Sequence, residues 1–164
     1  MKKLIVILVA GLMAGCGEDP PPEQVKDIHS RIHAVVEDGS VLKIELSARP
    51  ALTADYHFQN ASMDTARISE KLIRYFPETK QEKLVYVLNA DVSDKYGNQK
   101  ETPVLELTYK IDDLRKINYD TIYHRQILEF AEPIHYLGMA GVQIVKAWCD
   151  ENKDDARRFC AANT

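Results

Sequence analysis

Apolar positions recur along this chain in two periods, and the change of period marks the elements. Val25, Ile28, Ile32, Val35 and Val36 follow one another at spacings of three and four, which predicts a helix over 25–36 ended by Gly39. Residues 40–46, SVLKIEL, set Leu42, Ile44 and Leu46 against Val41, Lys43 and Glu45, the alternation of a half-buried strand. Residues 47–61 show neither period and read as a long irregular connection. A second helix is expected from Ser62, an N-cap residue, with Asp64 in its first turn. Its stripe is Ile68, Leu72, Ile73 and Phe76, and Pro77 is its stop.

KLVYVLNADV, 83–92, is apolar on both faces and predicts a central strand covered on two sides. DKYGN, 94–98, has turn chemistry, and PVLELTYKI, 103–111, alternates again, so the two runs form a hairpin. Asp112 and Asp113 are placed to cap a short helix reaching about Tyr119. Another helix is expected from Asp120 with Ile122, Ile127, Leu128 and Phe130, and a last one over 134–148 with Pro133 in its first turn. The element order implies an α+β domain: a small mixed three-stranded sheet with helices packed on it. Its first two strands run parallel through a crossover, and the third is antiparallel.

Composition narrows the picture little. The 164 residues are 45% hydrophobic and 28% charged, enough for one domain with a modest core. The formal charge is −4. That balance carries no electrostatic footprint for nucleic acid.

The N-terminus changes the picture more. Lys2 and Lys3 precede the apolar run Leu4 to Leu12, and the small residues Ala14 and Gly15 then precede Cys16. This is the layout of a secretory leader, too short for a permanent membrane helix. The ending LMAGC resembles the lipobox of bacterial lipoproteins, with Met13 where that family most often has Leu. The resemblance covers residues 1–16 and implies that 1–15 are removed and Cys16 is acylated, palmitate among its chains. It also implies outer-membrane retention on the periplasmic face, because Gly17 rather than Asp follows the cysteine. Several acyl chains anchor durably, at about 0.8 kcal/mol per buried methylene. Loss of Lys2 and Lys3 takes the cations from 21 to 19 against 25 acids, a net charge of −6. Residues 16–24 then form the lipidated cysteine and a stiff proline-rich spacer, and 25–164 the single periplasmic domain. In that oxidising compartment Cys149 and Cys160 are expected to pair, closing the helical C-terminal part.

Candidate chemistry is sparse. His29 and His33 lie four apart on the first expected helix, a spacing that ligates metals. A third ligand is missing, and no metal or other cofactor is expected. Asp91 and Asp94 flank a strand end, where aspartates usually form turns. Glu132 and His135 have the spacing of a di-iron motif, of which only one copy is present. With no nucleophile elbow, zincin motif or phosphate loop, no catalytic residues are assigned. The connection around Tyr56, His57 and Phe58 is the expected recognition loop, unless its aromatics pack as a lid on the core. Gly138 and Gly141 lie inside the last expected helix, where each costs about 1 kcal/mol against Ala. That cost points to close backbone contact, within the domain or with a partner.

The expected function is therefore a non-catalytic protein-binding module, anchored to the membrane by lipid, in an envelope assembly, secretion or conjugation machine. A periplasmic immunity, inhibitor or exclusion lipoprotein facing a toxin or hydrolase is the alternative, and an envelope hydrolase comes third.

Overall fold

The computed structural model describes residues 20–51 and 53–164. The leader, Cys16 and the first part of the spacer lie outside the described residues. The chain enters through a 3-10 turn at Val25–Ile28 and continues into β1 (Ile32–Asp38), β2 (Val41–Leu46), α1 (Ala54–Tyr75), β3 (Lys83–Ser93) and β4 (Gln99–Lys110). A single helical turn, α2 (Ile111–Leu114), and a 3-10 segment at His124–Phe130 lead to β5 (His135–Tyr136), α3 (Met139–Asn152) and α4 (Arg157–Asn163).

The sheet has five strands in the order β1-β2-β3-β4-β5, against the three expected. β2 and β3 are parallel, joined through α1, and β3 and β4 form the antiparallel hairpin, as the pattern implied. The two additional strands have separate explanations. Residues 25–36 are a turn and an edge strand instead of a helix. The strand has an irregular register between Ile32 and Ala34, which puts Ile32 and Val35 on the same side although they are three apart. A bulge thus imitates a helical period. Gly39 is the left-handed residue of the β1–β2 turn, with φ of +55°, instead of a helix terminus. β5 is only two residues long, and its partners Leu105 and Glu106 lie about thirty positions earlier, so no local pattern marks it.

Helix α1 begins at Ala54, two turns before Ser62, so most of the expected loop is helical. Its buried stripe is Phe58, Ala61, Thr65, Ile68 and Leu72, at spacings of three and four. The small and polar members of that stripe hid its first half. Ser62 is a buried helical residue whose hydroxyl donates to the Gln59 carbonyl, not an N-cap. The last helix starts at Met139 rather than Ile134 because β5 occupies 135–136. Likewise the helices expected after Asp112 and Asp120 shrink to a single turn and a 3-10 segment.

The core lies between one face of the sheet and α1, α3, α4 and the 3-10 segment. Leu42, Ile44, Leu84, Tyr86, Leu105 and Leu107 meet Phe58, Ile68, Leu72 and Trp148 there. The opposite face of β3 lies outside the main core cluster. Val85 and Val87 are nevertheless buried. Lys43 on β2 donates to Glu106 on β4 at 2.9 Å, across the intervening strand, and these long side chains shade the valines. Cys149 on α3 and Cys160 on α4 are joined in a buried disulfide with a Cα separation of 5.6 Å.

Candidate functional site

β3 runs five residues past the point where Leu88 faces the last residue of β2, Leu46. The ledge this leaves, Ala90–Ser93, floors a cleft of about 500 Å³. The start of α1 supplies one wall with Thr53, Ala54 and His57. The start of α3 supplies the other with Ala140, Gln143 and Ile144, and Arg49 and Pro50 come from the β2–α1 connection. The volume is in the range of ligand sites, and the carboxyl ends of parallel strands are where open α/β sheets place them.

Each wall is held from behind. The guanidinium of Arg31 donates to both Asp64 of α1 and the Ser47 carbonyl, tying the start of the connection to the helix. Ser47 N–H donates to Arg31 O at 3.0 Å, Ala48 N–H to Glu101 Oε1 at 2.7 Å, and Asn89 Nδ2 to Glu45 Oε1 at 2.8 Å. On the other side, α3 approaches β4 so closely that a Cβ on Gly141 would stand 2.2 Å from the Val104 carbonyl oxygen. Gln59 of α1 accepts from Trp148 Nε1 of α3 at 3.1 Å, and Phe58 packs against Trp148 and Phe159 with ring centroids 5.4 and 5.7 Å away.

The cleft carries one cation, Arg49, one carboxylate, Asp91, and neutral hydrogen-bonding groups. Burial pushes the His57 imidazole below its ordinary range, and the charge of Arg31 acts in the same sense. The main chain at Arg49 and Asn89 and the Asp91 carboxylate offset this only in part. The ring is therefore neutral at pH 7 and offers one donor and one acceptor. Exposed apolar side chains stand on the elements that line the cleft: Tyr56, 58% exposed, in the first turn of α1; Met139, 71%, in that of α3; and Tyr96, 77%, at the hairpin tip.

The residues anticipated from sequence divide accordingly. His57 lines the cleft and Tyr56, its neighbour on α1, is exposed, whereas Phe58 is fully buried in the core. Gly138 precedes α3 and has open space around it. Gly141 is buried against β4, so its close approach is internal to the domain and it has no surface to offer a partner. The His29/His33 pair does not form: His33 is exposed on β1, and His29 faces the buried Asp64 at 3.6 Å. Asp94 accepts from the N–H groups of Tyr96 and Asn98 and from the Asn98 amide, which lower its carboxyl below the ordinary range and hold the turn. Asp91 lines the cleft. Glu132 and His135 have separate partners, Lys83 and Glu106. Among the described residues no three His, Cys, Asp or Glu side chains are grouped to hold a metal ion. Arg49 and Gln143 were missed because they line one cleft only when α1 and α3 are packed side by side.

No family model, curated protein or solved structure matches the chain.

Proposed function

We propose that this chain is a periplasmic lipoprotein, anchored in the outer membrane through Cys16, that binds a protein partner of the cell envelope through the cleft and its rim without catalysing a reaction. One observation carries the reading: a cleft of mixed polar and apolar lining, nearly balanced in charge, lies among elements that also present Tyr56, Tyr96 and Met139 to solvent. Aromatic and Met side chains are enriched where protein interfaces form, and a recessed polar centre supplies hydrogen bonds that fix register. Arg49 and Asp91 can each pair with an opposite charge on an extended segment, while neutral His57 and Gln143 suit its peptide groups.

The test is crosslinking and capture from native membranes with the wild type, Cys16→Ser and an Arg49→Glu/Tyr56→Ala double variant. The expected result is an envelope complex recovered with the wild type and lost with the double variant, whose thermal unfolding is unchanged. Equal recovery with the double variant refutes the cleft as the binding surface. A single basic toxin or hydrolase as the sole partner moves the assignment to an inhibitor, whose approach the net −6 of the processed chain would steer.

A further inference from the structure

A second groove lies at the other end of α1. Pro20–Pro22 pass beside the last turns of the helix and leave about 690 Å³ between them. Lys71, Arg74 and Tyr75 line one side, and Glu23 and Asp27 the other. We propose that this groove seats the headgroup of a zwitterionic aminophospholipid, so that the domain stands on its membrane at this end and holds the cleft away from it. The inference rests on the lipoprotein reading above.

Three observations carry it. The first is chain length. Only residues 17–19 separate Cys16 from Pro20, so the two Cα atoms are at most about 14 Å apart. Whatever borders Pro20 is held within that distance of Cys16, and so close to the headgroups, once Cys16 is acylated. The second is charge. Lys71 and Arg74 present two cations to a phosphodiester: among the described residues the Lys71 ammonium reaches the Ile28 carbonyl, at 3.5 Å, and Arg74 pairs with the half-buried Glu70 at 2.7 Å. Glu23 and Asp27 face a headgroup ammonium. The carboxyl end of a helix disfavours a bare anion, so the mixed set fits a zwitterion better than an inorganic phosphate. The third is Tyr75, 39% exposed, an amphipathic ring of the kind that settles at the membrane–water interface. Lys71 and Tyr75 lie 14 and 18 residues beyond His57 on α1, which separates this groove from the cleft by about 21–27 Å along the helix.

The experiment uses the processed, lipidated chain on nanodiscs of phosphatidylethanolamine and phosphatidylglycerol doped with a gadolinium-chelating lipid. Paramagnetic broadening is read by NMR. Resonances of Val25 and Tyr75 should broaden several-fold more than those of Ala54 and Ala140. Lys71→Glu/Arg74→Glu should abolish that difference while the protein remains on the disc. Replacing phosphatidylethanolamine by phosphatidylcholine, whose ammonium has no N–H, should reduce it. Uniform broadening of bound wild-type protein, or stronger broadening at Ala54, overturns the proposal and leaves the anchor reading standing. Equal shifts at Lys71 and Arg74 with inorganic phosphate alone also overturn it, in favour of a phosphate site. Loss of all association in wild-type protein, matching Cys16→Ser, refutes the anchor reading instead.

Discussion

Gly141 shows how a single position is decided by what lies beyond its own helix. In isolation Ala is the better helix residue by about 1 kcal/mol. Here a methyl group at residue 141 would stand 2.2 Å from the Val104 carbonyl oxygen, a main-chain atom that cannot rotate away. Gly141→Ala should therefore destabilise by about 1–3 kcal/mol despite the gain in propensity. Urea unfolding checks this; a stabilised variant would show that α3 can slide off β4 without penalty. Gly138, the residue immediately before α3 and surrounded by open space, has no comparable constraint.

At the level of elements, the junction of β1, β2 and α1 depends on a charge that water does not reach. The Asp64 side chain is 2% exposed and takes the Arg31 guanidinium, which also serves the Ser47 carbonyl. Removing one partner strands the other's charge in the interior, a cost of about 3–5 kcal/mol. Arg31→Met should lose stability on that scale, and adding Asp64→Asn should recover a substantial part by removing the stranded charge. A double-mutant cycle by chemical unfolding measures the coupling. If the two losses simply add, the pair is not what joins these elements. The same junction explains why sequence periodicity failed here. Ile28, Ile32 and Val35 face the core, but a turn and a bulged strand deliver them there instead of a helix, and Val36 of the same apolar set is exposed.

For the whole molecule, three histidines set the pH response. His29, His57 and His124 all lie below the ordinary value of 6.5, each chiefly because burial disfavours the charged ring. The unfolded chain therefore binds more protons than the native one just below that pH. Stability is complete above about pH 6.5 and falls as the pH drops through the native values. Glu106 adds to the loss under more acidic conditions. Burial tends to raise its pKa, but the hydrogen bonds from His135 and Lys43 prevail and hold it below 4.5. The urea midpoint should be lower at pH 5.5 than at pH 7.5, and His57→Gln should lessen the difference. Identical midpoints would mean that these rings are as well solvated in the native state as in the unfolded one.

The sequence by itself determined the features written in neighbouring residues. The parallel β2 and β3, the β3–β4 hairpin and the Cys149–Cys160 pair were legible because period, turn chemistry and cysteine count are local signals. The tertiary structure alone decided β1, β5, the early start of α1 and the cleft. β5 pairs with the edge that Leu105 and Glu106 offer, the early part of α1 packs Phe58 on Trp148, and His57 and Gln143 line one cleft only where two helices pack. Those partners are separated by tens of residues, and a pairing energy shared across such a distance leaves no period in either segment.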